Sequence, residues 1–323
     1  MRPSPRKPAG ASARDGGASA GHLGTPRLAA RPAARQVRAL SADAELLALE
    51  RSALGGRIHS VFASVINVSA PEGELWCLTA RGIACGPRTV RIDLASFDGL
   101  ALEPAMAVTV SDAIRLGDVL TVPLDGARSW APPTIDGSVD SRRVQELEAA
   151  LAEAGVPGGA QAGDDAFSRA VSERIRDGLE DIANGIRCAD EDAITRAAGR
   201  LVGLGGGLTP AGDDVLTGLA YASAQLGGPL SLVPAAIRRA AASGATHAIS
   251  LTAMREACRG RAVEPLGDLL AALCTTGPAD GSRSGASVPE LTVALTGIGH
   301  TSGTDQAHGL LAAVRLTEEM RGM

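Results

Sequence analysis

The sequence predicts an α+β protein, with a small N-terminal β-rich domain followed by a larger, mainly α-helical domain. Three observations carry this. From Gly56 to about Leu124, β-branched residues gather in short runs separated by Gly, Pro and Asp turns. From about 138 to the C-terminus, apolar residues recur at helical spacing almost without interruption. Between the two lies Trp130-Ala131-Pro132-Pro133 through Gly137, which has the composition of a connector. With 323 residues, 45% of them hydrophobic, the chain can bury a sizeable core in one large domain or two moderate ones.

Residues 1–40 are rich in Pro, Ala, Gly, Ser and Arg, show no apolar period, and are expected to form a disordered basic tail. They hold eight basic residues against the single acid Asp15, a net +7 that leaves −12 for the remainder. An Arg-rich, acid-poor N-terminus resembles an organellar transit peptide. The same Arg, Ala and Gly bias fills the body, however, so a plain extension or a misplaced start codon accounts for it better. There is no secretory apolar core and no long uncharged apolar run, so the expectation is a cytoplasmic chain with no membrane partner.

The β-rich domain is expected over 41–130. Ser41 to Arg51 has helical spacing at Leu46, Leu47 and Leu49. Strands follow at Arg57–Val68, Glu74–Thr79, Thr89–Leu94, Ala107–Val110 and Val119–Val122, with turns at Pro71-Glu72-Gly73 and Cys85-Gly86-Pro87. In the helical domain, 138–323, helices are expected near 138–154, 165–186, 190–201, 210–226, 231–243, 246–259, 265–275 and 303–319, with a short element around 288–296. Thr276–Ser287, full of Gly, Ser and Asp, reads as a loop.

Composition narrows the function. Aromatic residues are 2% of the chain, too few to offer stacking surfaces to bases, and the body is acidic, so nucleic acid is not an expected partner. Lys7 is the only lysine and lies in the tail, which removes Schiff-base chemistry. The five cysteines (Cys77, Cys85, Cys188, Cys258, Cys274) include no Cys-x-x-Cys pair and fit free thiols in a reducing compartment.

The most informative stretch is Gly203-Leu204-Gly205-Gly206-Gly207-Leu208-Thr209-Pro210-Ala211-Gly212-Asp213-Asp214, a glycine-rich loop entering a helix. Thr209 is expected at the N-cap and Pro210 at the first helical position. Unpaired N–H groups at such a start attract anions, whereas Asp213 and Asp214 repel a bare anion unless a cation or donor intervenes. A second stretch, Gly297-Ile298-Gly299-His300-Thr301-Ser302-Gly303-Thr304-Asp305, repeats the arrangement. Aligning Gly212 with Gly303 gives Gly-x-Asp-x-x-x-Gly-Leu in both, matching Gly212, Asp214, Gly218 and Leu219 to Gly303, Asp305, Gly309 and Leu310. One reading is two related loop–helix units converging on one site. The other is two buried helices that each carry a small-residue packing notch.

Gly-Leu-Gly-x-Gly-Leu-Thr-Pro-x-Gly-Asp-Asp followed by Gly-His-x-Ser-Gly-x-Asp and a late Gly-Leu resembles the family of the AllH-type subunit of oxamate carbamoyltransferase. Gly56-Arg57-Ile58-His59-Ser60-Val61-Phe62 through Asn67-Val68 resembles its opening strands. Thr246-x-x-x-Ser250 leading to Ala257-Cys258-Arg259-Gly260 resembles its middle helix. Coverage is roughly 50 to 318, and the two loops are the specific parts. Gly206 departs from the family, which commonly has Pro there. The resemblance implies work in allantoin or purine-nitrogen catabolism alongside partner protein subunits, on oxamate and carbamoyl phosphate or their relatives.

On this basis His300, Asp214 and Asp305 are the candidate catalytic residues, with His300 a hydrogen-bond donor or general acid towards a carbonyl or phosphoryl oxygen. Gly205, Gly206, Gly207, Thr209, Gly212, Asp213, Thr301, Ser302 and Gly303 are the candidates for holding a small anionic substrate. The aspartates could receive the amino group of a carbamoyl or amide substrate. No cofactor is required by the sequence, and Mg²⁺ at Asp213 and Asp214 is the one it allows. His59, His308, Thr246 and Ser250 read as packing or capping residues, and Asp164-Asp165 as a helix cap. The Walker pattern is absent, and the glycine loops lack the βαβ setting of a dinucleotide fold. Three functions stay open: a carbamoyltransferase subunit, a non-catalytic metabolite-binding or assembly subunit, and a Mg²⁺-dependent hydrolase of a small amide or phosphate compound.

Overall fold

A computed structural model describes residues 34–50, 54–71, 73–242, 246–275 and 285–322. Most of the expected tail, and residues 276–284 of the expected loop, lie outside the described residues.

The N-terminal part builds one ten-stranded sheet from β1 (Arg35–Gln36), β2 (Ala39–Asp43), β3 (Gly56–Val61), β4 (Val65–Ser69), β5 (Leu75–Thr79), β6 (Thr89–Ile92), β7 (Ala107–Val110), β8 (Ala113–Leu116), β9 (Leu120–Pro123) and β10 (Arg128–Trp130). Their order is β1-β9-β8-β7-β3-β4-β5-β6-β2-β10, mostly antiparallel, with parallel pairs β1–β9, β5–β6 and β2–β10. Its core gathers Ile58, Ile66, Val68, Leu78, Val90, Ile92, Ile114, Leu116 and Val122 around Trp76 and Phe97. The Trp76 indole donates to Leu54 O at 3.0 Å, so the largest buried ring leaves no polar atom unmet.

Three expectations need correction here. The single strand expected over Arg57–Val68 is the hairpin β3–β4, closed where Phe62 N donates to Val65 O at 2.8 Å. A continuous β-branched run looks alike in both cases, because Ala63-Ser64 carries no Gly or Pro to mark the turn. The helix expected over Ser41–Arg51 is only α1 (Ala44–Ala48), since Ala39–Asp43 is drawn into the sheet beside β6. Pairing of Arg35–Gln36 with β9 also brings residues 35–40, expected in the tail, into the sheet.

The helical part matches its expected segments closely. It contains α2 (Ser141–Ala154), α3 (Ala166–Arg187), α4 (Glu191–Leu201), α5 (Ala211–Leu226), α6 (Val233–Ala241), α7 (Ala248–Ala257), α8 (Glu264–Leu273), α9 (Val288–Thr296) and α10 (Ser302–Arg321). A two-stranded ribbon of β11 (Ser138–Val139) and β12 (Cys274–Thr275) was not foreseen. Side-chain caps start four of these helices: Asp140, Asp165 and Asp190 accept from first-turn N–H groups, and Ser287 with Glu290 closes a capping box. Residues 211–223 of α5 are all buried, so this helix is the axle of the body.

α5 and α10 lie against each other through the repeated glycines. A Cβ on Gly218 would stand 1.9 Å from Gln306 O, and one on Gly309 would stand 2.0 Å from Val215 O. The other matched pair seats each helix start on the helix before it, since a Cβ on Gly212 would meet Leu201 O at 2.1 Å and one on Gly303 would meet Leu295 O at 1.8 Å. The sequence repeat is therefore a structural repeat. Helix–loop–helix α4–α5 and helix–loop–helix α9–α10 use the same two notches and cross at the second.

The sheet joins this body through buried charge. The Arg261 guanidinium spans Asp43 at 2.7 Å, Glu256 at 2.8 Å and Glu45 at 2.7 Å, and Asp43 also accepts from Arg88 N at 2.7 Å. Cys85 and Glu264 exchange two hydrogen bonds beside it. The five cysteines are free thiols. Among the described residues no helix is long and apolar enough to cross a membrane.

Candidate functional site

The two glycine loops meet. Thr209 Oγ1 and Ser302 Oγ lie 2.8 Å apart, 93 residues distant in sequence, and tie the mouth of α5 to the mouth of α10. Below that bridge Gln306 Nε2 donates to Asp214 Oδ1 at 3.2 Å. Asp305 Oδ1 accepts from Ala160 N at 2.6 Å, and the Thr304 hydroxyl accepts from Val156 N at 2.9 Å, so the glycine-rich segment after α2 wraps the first turn of α10.

Exposure grades from outside to inside. Gly206, Gly207, Leu208, Gly299 and His300 are exposed; Thr209, Thr301 and Ser302 are half-buried; Gly212, Asp213, Asp214, Gly303 and Asp305 are buried. The N–H groups of Gly206, Gly207, Leu208 and His300 make no hydrogen bond within the described residues. Free donors thus line the rim and carboxylates line the floor. In the first loop Gly205 and Gly207 have φ of 111° and 89°, closed to most side chains, whereas Gly206 keeps a negative φ, the sign that a proline also takes.

The helix starts differ from expectation. The N-cap of α5 is Pro210, whose carbonyl accepts from Asp213 N and Asp214 N, and Thr209 turns its hydroxyl to Ser302 instead. Thr301 occupies the N-cap position of α10 without a side-chain cap bond, and the helix opens at Ser302 rather than Gly303. The Thr209 hydroxyl, expected to cap a helix, joins the two units instead.

Asp213 is tied into the loop: one oxygen accepts from Gly203 N at 2.8 Å and the other from the Thr246 hydroxyl, so it braces the first glycine loop. Among the described residues no group of three or more His, Cys, Asp or Glu side chains is placed to hold a metal ion.

Asp214 and Asp305 are both shifted upwards. Burial is the main force raising the Asp214 carboxyl to about 7. The neighbouring Asp305 charge adds to it, against the Gln306 amide and the hydroxyls of Ser302 and Thr209. Burial raises Asp305 to about 6, against the Ala160 N–H and the Thr301 hydroxyl. A carboxylic acid that keeps its proton near neutrality can lie beside an anion, which resolves the conflict between an acidic first turn and an anion-attracting helix start.

Both folded-state values lie above the unfolded ones, so this contribution to stability is full below about pH 4 and is lost as pH rises through 6 and 7. His308, pushed down to about 4 by burial, runs the other way over the same range. The pair's share is therefore read as a difference. Measured by urea unfolding between pH 5 and 8, wild type should lose stability relative to Asp214→Asn by up to ~1.4 kcal/mol per pH unit. A pH-independent difference would show that Asp214 is ionised throughout.

Sequence reasoning missed Gln306, Ala160 and the Asp213–Thr246 brace. Gln306 could have been found beside Asp305 on the repeat, and Gly155-Val156-Pro157-Gly158-Gly159-Ala160 is itself a glycine-rich loop. Thr246 carried no signal beyond helical spacing with Ser250. His59, whose ring lies by Ser60 at 3.1 Å on β3, belongs to the sheet and not to this site.

Residues 201–314, from the first glycine loop through both aspartates into α10, match the family model described as oxamate carbamoyltransferase subunit AllH. Residues 38–129, the sheet, match the AllH family N-terminal domain. The chain belongs to the AllH family. In this AllH chain the two matched segments hold the sheet and the paired loops, and α2, α3 and most of α4 lie between them. No solved structure matches the chain.

Proposed function

We propose that this AllH-family chain supplies the substrate site of a carbamoyltransferase acting on oxamate and carbamoyl phosphate, and on oxalurate and phosphate in reverse, in assembly with partner subunits. One observation carries the reading: the two family-matched glycine loops are bridged by Thr209 and Ser302 directly above the Asp214–Asp305 pair.

Each part of the reaction has a group suited to it. The rim N–H groups of Gly206, Gly207 and Leu208 would hold the leaving phosphate. His300, on the facing loop, would donate to the carbonyl oxygen that gains charge as the amide nitrogen attacks the carbamoyl carbon. When the bond from that carbon to the phosphate oxygen breaks, the proton shed by nitrogen would pass to Asp305, whose carboxyl titrates close enough to neutrality to take it. The pathway this chemistry fits is the breakdown of purine nitrogen, in the cytoplasm.

The test combines binding and turnover. Carbamoyl phosphate and oxamate should each raise the melting temperature of the purified chain. The Gly207→Val variant, strained at a φ of 89° yet with nothing within 4 Å of the added Cβ, should fold and lose that response. Carbamoyl transfer, with partner subunits added, should fall at least ~100-fold in Asp305→Asn. Full turnover in that variant would leave the chain a non-catalytic subunit.

A further inference from the structure

The floor of the site is short of donors. Asp214 Oδ2, Asp305 Oδ2 and Gln306 Oε1 are all buried from solvent and close no hydrogen bond, although the Thr209, Ser302 and Thr301 hydroxyls lie near enough to ease the two carboxyl charges. With the carboxyls ionised, all three groups present acceptors. Asp214 is 4% exposed and Asp305 0%, and the Asp305 charge adds to the cost of ionising Asp214. The same three residues have satisfied their other atoms, through Gln306 Nε2 to Asp214 Oδ1 and Ala160 N to Asp305 Oδ1. A buried acceptor left without a partner is costly, so unmet acceptors drawn from both halves of the structural repeat mark a place where a ligand brings the donors. The space is also tight, because a Cβ on Gly159 would fall 2.2 Å from Asp305 Oδ1 and 2.4 Å from Oδ2. That suits a flat –NH₂ group better than a Mg²⁺ ion, which keeps several waters.

We infer that Asp214 Oδ2 and Asp305 Oδ2, backed by Gln306 Oε1, are the specificity element that receives the two N–H groups of a primary amide. The ligand's carboxylate then faces the unpaired His300 N–H on the second loop, leaving those of Gly206, Gly207 and Leu208 to the phosphate. This rests on the proposed function and deepens it. The chain selects an amide over the isosteric acid by the floor, while the rim accepts either. Oxalate would bring a further acceptor to the unmet acceptors, and N,N-dimethyloxamate would bring two methyl groups where N–H is required. The amide hydrogens replace the proton held by the carboxylates in the empty site, and the amide nitrogen is left beside Asp305.

The experiment titrates the full-length chain, by calorimetry or thermal shift, with oxamate, oxalate, N,N-dimethyloxamate and Mg²⁺ separately. Oxamate should bind at least ~10-fold more tightly than either analogue, as expected when a site built to pair N–H groups meets a ligand lacking them. Asp214→Asn and Asp305→Asn should bring the oxamate-to-oxalate ratio near one while leaving oxalate binding in place, a readout that a merely structural role for either carboxylate would not give. Equal affinity for oxamate and oxalate in the wild type would overturn the inference and leave the proposed function standing. Binding of Mg²⁺ alone that disappears in Asp214→Asn would overturn it in favour of a cation site. No response to oxamate at all would overturn both.

Discussion

Gly218→Ala should destabilise the protein by about 4 kcal/mol or more, or prevent folding, although it adds one methyl group. That methyl would stand 1.9 Å from a backbone carbonyl on α10, and a backbone cannot swing aside as a side chain can. The two helices must separate along their shared face, and the residues of that face, from Val215 to Val314, are buried. Ordinary overpacking costs ~1–3 kcal/mol, and forcing two main chains apart lies above that range. Gly309→Ala should behave alike, since its methyl meets Val215 O at 2.0 Å. The internal control is Gly199→Ala in α4, where nothing lies within 4 Å and the helix propensity of alanine should add about 0.5–1 kcal/mol. Urea unfolding of the three variants settles the point, and a Gly218→Ala variant within ~1 kcal/mol of wild type would contradict the notch. Any Gly218→Ala protein that does fold should respond weakly to ligand, because the same helices carry Asp214, Asp305 and Gln306.

The second large effect lies at Arg261, between α7 and α8. Arg261→Ala should cost about 3–5 kcal/mol, the range for removing one partner of a buried ion pair and stranding the other. Asp43 and Glu256 are 1% and 7% exposed, and without the guanidinium their charges have little solvent to turn to. Arg261→Lys should recover only part of this, since an ammonium cannot span Asp43, Glu256 and Glu45 with one planar fork. Asp43 keeps its bonds from Arg88 N and Glu45 N, so the sheet should survive while its seat on the helical body weakens. Chemical denaturation followed by the fluorescence of Trp76 and Trp130, both in the sheet, measures the loss. A loss below ~1 kcal/mol would mean that water reaches the cluster.

How much was legible beforehand depended on whether the information was local. Helix ends were readable to within a few residues because Asp140, Asp165, Asp190 and Ser287 are chemical start signals. The β3–β4 turn was not, because Ala63-Ser64 has no turn chemistry, and β1, β8 and β10 were missed because short strands exist only by virtue of their neighbours. In the site, the Gly-x-Asp-x-x-x-Gly-Leu repeat picked out Asp214, Asp305, Gly218 and Gly309. Asp213, named beside them from the sequence, is held by a loop N–H and by a hydroxyl 33 residues away, contacts that no local pattern signals.

By itself the sequence determined the α+β class, the order of the helices, the two glycine loops and their kinship, because each follows from patterns within a dozen residues. Only the tertiary structure decided that the loops share one mouth, that Thr209 meets Ser302 rather than capping a helix, and which carboxylate oxygens are left without partners. The reason is physical. Hydrogen-bond satisfaction and burial belong to the packed arrangement of distant segments, and no local pattern records which donor reaches which acceptor once the chain has closed on itself.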